Sequence, residues 1–159
     1  MQTFLTFPSF KLTAASLDDK RLGKQRVECK QILETNRAYI AYQHKYTPYS
    51  TPLNLGWKNH PAVLMWRNYD SMLALYGAAI CNEWISRGFK DSLKPFFDEI
   101  VASSPLDYPR WLTDEKMYNR IILSHRSSLV FKFPEYYQSL FPDSPPKYGY
   151  VWPLSPLTN

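Results

Sequence analysis

One carboxylate, Glu28, lies in the middle of a cationic stretch and is the acidic side chain best placed to move protons. The basic residues around it are Lys20, Arg21, Lys24, Arg26 and Lys30. A polyanion bound along such a face would bring its backbone beside this acid, which could act as a general acid and base. The alternative is a solvated face on which Lys24 and Glu28 form an i,i+4 ion pair worth about 0.2–0.5 kcal/mol. The residues alone leave both interpretations open.

The three histidines do not form a recognisable metal site. His44, His60 and His125 lie far apart in the sequence and lack the spacing of metal ligands. The sequence also lacks a Gly-rich phosphate loop, an H-E-x-x-H pair and a G-x-S-x-G turn. We therefore expect no metal and no organic cofactor, and we expect each histidine to cap a helix, pack or contact phosphate.

The helix that would carry Glu28 is predicted over residues 16–35. Ser16 is a suitable N-cap, and acidic residues follow in the first turn, where the helix dipole favours negative charge. Leu22, Cys29 and Leu33 recur at intervals of seven and four, which is one helical stripe. One face of this helix should therefore pack, and the other should carry the cationic residues.

Two further helices are predicted to complete the core. Residues 61–87 follow the 3–4 spacing of a wide apolar stripe, with Asn59 as a possible cap and Pro61 at the tolerated first position. We expect this helix to lie at the centre of the core. A third helix is predicted over residues 114–131, again with apolar residues at helical spacing.

The remaining segments are predicted to be irregular. Residues 1–15 have the pattern of an extended arm, residues 36–59 that of an ordered Tyr-rich loop, and residues 142–159 that of a Pro-rich aromatic tail. The expected fold is therefore mainly α, a single compact domain (1–159) of three principal helices with long aromatic and Pro-rich loops.

Composition narrows the class of protein. A chain of 159 residues with a net charge of +5 fits one soluble domain and an anionic partner such as a nucleic acid. Cys29 and Cys81 lie in helical, partly apolar segments, which favours buried thiols in a reducing compartment. The first residues lack the basic and apolar regions of a secretory leader, and no apolar run is long enough to cross a membrane. We expect a cytoplasmic monomer.

Several runs of the sequence resemble a known family, the pyrimidine dimer DNA glycosylases of the bacteriophage endonuclease V type. The runs are MQTFLTF, LDDKRLGKQRVE, NHPAVLMW, EWISRGFKD, SHRSSL and YVWP. They are most similar to a little-characterised bacterial and phage branch grouped with that family. The resemblance covers most of the chain.

The resemblance implies a particular nucleophile. In that family the α-amino group of the chain attacks the sugar C1′ and forms an imine, and a glutamate moves protons and assists β-elimination. An α-amine has an ordinary pKa of about 7.7–8.0, against about 10.4 for lysine, so more of it is neutral near pH 7. Aligning Leu17 and Leu22 with the family's leucines places Glu28 at the catalytic glutamate. The catalytic pair implied for this chain is therefore the Met1 amine and Glu28.

The resemblance also suggests side chains that contact double-stranded DNA. Arg21 falls where the family has a DNA-contacting histidine, Arg26 lies close to a phosphate-binding arginine, and His60 matches the histidine before the long helix. His125, Arg126 and Lys132 are added from the chemistry of phosphate contacts and from the branch. The predicted DNA-binding set is Lys20, Arg21, Lys24, Arg26, His60, His125, Arg126 and Lys132.

The predicted function is a DNA repair glycosylase with abasic-site lyase activity on damaged or modified pyrimidines. Two alternatives stay open. One is a non-catalytic nucleic-acid-binding protein on the same scaffold, which would have no use for Glu28. The other is a glycosylase for a modified base that is not a dimer, since pocket shape selects the base.

Overall fold

The computed structural model describes residues 1–44 and 55–153, and within them the chain is helical, with no strand. The eight helices are α1 Phe10–Ser16, α2 Asp19–Gln43, α3 Pro61–Leu64, α4 Asp70–Ser86, α5 Lys94–Ser103, α6 Arg110–Thr113, α7 Glu115–Lys132 and α8 Pro134–Tyr137. The mainly α prediction is confirmed, and the three longest helices, α2, α4 and α7, overlap the three predicted segments.

The core forms around α4, which packs against α1, α2 and α5. Its side chains Leu73, Tyr76 and Ile80 have no exposed surface. This fits the central position predicted for the 61–87 segment. The two cysteines are buried free thiols, as expected, and burial raises the pKa of Cys81 to about 12, so this thiol stays protonated.

The α2 helix begins later and ends later than predicted. Ser16 closes the short helix α1, which the prediction had assigned to the extended arm. The N-cap of α2 is Asp18, whose carboxylate accepts a hydrogen bond from the Arg21 N–H. The helix continues to Gln43, so the first part of the predicted 36–59 loop is helical. Residues 45–54 of that loop lie outside the described residues, and the loop is described again from residue 55.

The predicted 61–87 helix is broken in two. His60, and not Asn59, caps α3, because its Nδ1 accepts from the Ala62 N–H at 3.1 Å. A turn then separates α3 from α4, and within it Asn68 adopts a φ of 70°, a left-handed conformation that asparagine tolerates. The side chain of Arg67 holds this turn by donating to the Lys58 carbonyl.

Residues 1–9 are the extended arm, and they pass through the interior with residues 2–6 buried. Within the described residues no strand is present to pair with the backbone of this arm. Side chains of the helices therefore supply the hydrogen bonds. These bonds join Phe4 N–H to Gln25, Phe4 carbonyl to Tyr76, Leu5 N–H to His125 and Thr6 carbonyl to Arg126. The arm is thereby fixed against α2, α4 and α7.

The α7 helix begins and ends one residue later than the predicted 114–131. Its serines bind the tail, which is described as far as residue 153. Ser127 Oγ donates to the Pro145 carbonyl, and Ser124 Oγ accepts from the Val151 N–H at 3.2 Å. The arm and the tail therefore both lie against α7.

Candidate active site

A cavity of about 390 Å³ opens where the arm, α2, His60 and the tail meet. Its volume is within the usual range for a small-molecule pocket. The lining residues are Met1, Gln2, Phe4, Lys20, Arg21, Lys24, Gln25, Glu28, His60, Lys132, Tyr150 and Trp152. Both predicted catalytic residues and five of the eight predicted DNA-binding residues are among them.

The Met1 amine and the Glu28 carboxylate face each other in this cavity. The Met1 nitrogen lies 3.7 Å from Glu28 Oε1, and the two side chains are only 5% and 9% exposed. Lys24 Nζ lies 3.6 Å from the same oxygen, and its side chain is 69% exposed. An amine is therefore within reach of a largely buried carboxylate, and the exposed cation of Lys24 lies beside the same carboxylate.

Gln25 joins the arm to Glu28, and the sequence analysis missed it. Its amide nitrogen donates to the Gln2 carbonyl at 2.9 Å and to Glu28 Oε2 at 3.0 Å. Its amide oxygen accepts from Phe4 N–H at 3.0 Å and from Tyr76 O–H at 2.8 Å. One signal was present, since Gln25 is a polar residue three positions from Leu22 and four from Cys29, on the stripe predicted to pack.

Arg21 is a cation of the cavity held in a fixed orientation. Its Nη1 donates to Asp18 Oδ1 at 2.9 Å, and its guanidinium lies over the rings of Phe133 and Tyr137. Burial raises the pKa of Asp18, but hydrogen bonds from Tyr137 and Arg21 outweigh it and lower that pKa below its ordinary value. Asp18 therefore stays ionised and keeps Arg21 in place.

The wall opposite α2 comes from the tail and the end of α7. Lys132 Nζ lies 2.9 Å from the Tyr150 hydroxyl, which also contacts Ser128. The ring of Trp152 lies 5.4 Å from that of Tyr150 and 6.2 Å from that of His60. The aromatic character of this tail was predicted, but its position was not. That position depends on Ser124 and Ser127 of α7, which are distant in the sequence.

His60 lies in the cavity in its neutral form. Burial lowers the pKa of its imidazole, and the positive charge of the Met1 amine lowers it further, against a smaller opposite effect of Glu28. Because Nδ1 accepts from the Ala62 N–H, the neutral ring carries its proton on Nε2. The imidazole is therefore a hydrogen-bond donor at neutral pH.

Two of the arginines predicted to contact phosphate, Arg26 and Arg126, bind other groups of the protein. Arg26 pairs with Asp91, a residue only 2% exposed at its side chain, and its guanidinium lies 4.4 Å from the Trp84 ring centroid. Arg126 donates to the Thr6 carbonyl at 2.7 Å and is partly buried. Neither residue lines the cavity, and the phosphate contacts of Arg26 and Arg126 stay predictions.

His125, which was also predicted to contact phosphate, has no exposed surface. Its Nδ1 accepts from the Leu5 N–H at 2.9 Å. Burial, together with a smaller effect of the nearby charge of Lys132, lowers the pKa of the imidazole to about 3, although the hydrogen bond from Leu5 acts in the opposite direction. His125 is thus a neutral residue that holds the arm.

The family model for pyrimidine dimer DNA glycosylases matches residues 1–94, which is more than half of the chain. The chain belongs to this family. The matched region contains Met1, Glu28 and the cations of α2, whereas Lys132, Tyr150 and Trp152 lie beyond it. No curated protein and no solved structure matches the chain.

The described part of the chain has neither a cluster of metal ligands nor a helix that could span a membrane. Within residues 1–44 and 55–153, no three His, Cys, Asp or Glu side chains come together as metal ligands would. None of the helices there is both long and apolar enough to cross a membrane.

Proposed function

We propose that this protein is a DNA glycosylase with abasic-site lyase activity, acting as a monomer on damaged or modified pyrimidines in double-stranded DNA. The observation that carries the proposal is the 3.7 Å separation of the Met1 nitrogen and Glu28 Oε1 at the wall of a basic cavity. Family membership supports the glycosylase class. The separation adds a reason to expect an imine intermediate.

The proposed reaction begins when the neutral Met1 amine forms a bond to the sugar C1′. The bond from C1′ to the base breaks, and the base leaves with the bonding electrons and takes up a proton. Glu28 accepts the proton that the amine loses. The protonated Glu28 then gives this proton to the ring oxygen O4′ as the sugar ring opens to the imine. The carboxylate restored in this way accepts a C2′ proton, the 3′ phosphate leaves, and water hydrolyses the imine.

The cations of the cavity would hold the phosphates beside the lesion. Lys20, Arg21 and Lys24 belong to the first turns of α2, and Lys132 faces them from α7. Such contacts fix the position of the duplex without reading its sequence. The cavity would then receive a nucleotide displaced from the stack, and His60 would donate a hydrogen bond to it.

The test is borohydride trapping on a duplex that carries one abasic site, with mass mapping of the adduct. We expect a covalent adduct on the Met1 amine, after the N-terminal residue has been verified by intact mass. An abasic site is used because it does not require the correct base to be known. An adduct on a lysine would change the nucleophile, and no adduct from protein that binds the duplex would contradict the imine mechanism.

A Glu28→Gln variant separates the enzyme from a non-catalytic binding protein on the same scaffold. Loss of general acid and base catalysis should slow turnover by about 10²–10⁴-fold while duplex binding persists. The binding protein would instead bind the duplex equally well or better, since one negative charge is removed, and neither form would turn over.

A further inference from the structure

The Gln25 side chain uses every hydrogen-bonding position of its amide within the site. A primary amide offers two N–H donors and two acceptor lone pairs. The two N–H groups donate to the Gln2 carbonyl and to Glu28 Oε2, and the amide oxygen accepts from the Phe4 N–H and the Tyr76 O–H. The residue is 1% exposed. A buried amide with all partners satisfied has a single preferred orientation.

These four bonds connect the two halves of the proposed catalytic pair. On one side, the Gln2 carbonyl and the Phe4 N–H fix the arm immediately after Met1. On the other side, the bond to Glu28 Oε2 leaves Oε1 directed at the Met1 nitrogen. The Tyr76 hydroxyl, which also donates to the Phe4 carbonyl, ties the amide to α4.

We propose that Gln25 is a positioning residue that sets the separation and orientation of the Met1 amine and Glu28. The inference rests on the proposed function, and Gln25 would act through Met1 and Glu28, not by taking part in bond making or breaking. The arm has no neighbouring strand in the described part of the chain to fix its register, so the position of the amine depends on side-chain contacts. The Gln25 side chain contacts both the arm and the carboxylate.

Two substitutions separate the parts of this role. Gln25→Leu is of similar size and removes all four hydrogen bonds. Gln25→Glu is nearly isosteric and keeps an oxygen that can accept from Phe4 and Tyr76. It replaces the amide that donates to Gln2 and Glu28 with a carboxyl group, and two carboxyl groups this close share one proton or repel each other. The second variant therefore tests the link to Glu28 while the bond to the arm at Phe4 is kept.

Asn36→Leu is the matched control. Asn36 is also a fully buried amide on α2, and it bonds to the Val63 carbonyl and to Arg67, away from the cavity. Replacing it should lower the melting temperature, as Gln25→Leu should, because both changes leave buried partners unpaired. A purely structural effect should be common to both variants.

The measurements are the single-turnover rate of strand cleavage at an abasic site with saturating protein, the Kd for an uncleavable duplex, and the melting temperature. We expect both Gln25 variants to lose roughly 10²-fold in rate with Kd unchanged, since a displacement of about 1 Å can cost that much. Asn36→Leu should keep the wild-type rate. Hydrogen exchange should show the Phe4 amide protected in Gln25→Glu and exposed in Gln25→Leu.

Each outcome either supports or overturns the positioning role of Gln25. Wild-type rates in the folded Gln25 variants, or an equal loss in Asn36→Leu at the same melting temperature, would overturn the role of Gln25 and leave the proposed function intact. If Gln25→Leu does not fold, the rate of Gln25→Glu decides alone. If the wild-type protein gives neither cleavage nor a borohydride adduct, the proposed function is overturned and the positioning role with it.

Discussion

His125 shows how one buried residue makes the fold dependent on pH. In the folded chain its pKa is lowered to about 3, chiefly by burial, whereas an exposed histidine has a pKa of about 6.5. Below pH 6.5 the unfolded chain therefore binds a proton that the folded chain does not. Between these two values stability falls as the pH falls, by up to about 1.4 kcal/mol per pH unit.

We predict that His125→Gln flattens this dependence. Glutamine does not titrate and can accept from the Leu5 N–H, the bond that the imidazole now receives. Urea unfolding of both proteins at several pH values between about 4 and 6.5 checks the prediction, and the difference between the two curves should shrink as the pH falls. Carboxylates and the other histidines are common to both proteins, so parallel curves would show that His125 is not the group responsible.

The sequence showed that α2 would carry a row of cationic side chains, but it did not show what each side chain would contact. Arg21 and Arg26 are five positions apart in the same cationic run, yet Arg21 lines the cavity and Arg26 pairs with Asp91. The helical pattern showed that one face packs. It could not show that Asp91, from a loop beyond α4, would lie against the end of the cationic face.

At the scale of the helices, α4 and α5 pack tightly at Gly77. A Cβ added there would lie 2.7 Å from the ring of Phe97, which has no exposed surface. In a helix interior, alanine is normally preferred to glycine by about 0.5–1 kcal/mol. Here the clash opposes that preference, because the ring has no free space to enter.

We predict that Gly77→Ala destabilises the protein by about 1–3 kcal/mol, as overpacking of a close-packed core does. Chemical unfolding of the variant measures the change. Gly149→Ala is the control, since a Cβ at that position meets nothing within 4 Å. Increased stability of Gly77→Ala would mean that Phe97 moves aside and that helix preference decides the sign.

The motif EWISRGFKD, which supported the family resemblance, stabilises the arrangement of the helices. Trp84 packs on Gly23, where a Cβ would lie 2.9 Å from its ring. Arg87 donates to carbonyls at the end of α1 and to Asp19, and Gly88 has a φ of 88° that favours glycine. The conspicuous residue types of this motif therefore reflect packing and capping around α2.

Periodicity predicted the long helices, but it missed features that depend on distant contacts. Helix α1 is one such feature, because it has only seven residues and follows a segment rich in aromatic and polar residues. The break between α3 and α4 is another, since neither glycine nor proline marks it in the sequence. Trp111 stabilises that break by donating to the Met65 carbonyl, and no local pattern reports a contact over that distance.

At the scale of the whole molecule, the cavity is made by opposite ends of the chain. The proposed catalytic pair, Met1 and Glu28, lies within the 1–94 region that matches the family, whereas the aromatic wall belongs to the tail beyond it. Serines of α7 hold that tail, and His125 of the same helix holds the arm. The chemistry and the contact with the base are therefore expected to be separable by mutation.

We predict that Trp152→Ala lowers activity more on a duplex carrying a pyrimidine dimer than on one carrying an abasic site. An abasic sugar still reaches the Met1 amine, but it has no base to stack on Trp152, and a stacking contact is worth about 1–3 kcal/mol per base. The expected result is a loss of roughly 10–100-fold on the dimer and little change on the abasic duplex. Single-turnover rates on both substrates, from the same preparation, make the abasic duplex an internal control for folding. An equal loss on both would mean that Trp152 supports the cavity as a whole, through its ring contacts with Tyr150 and His60.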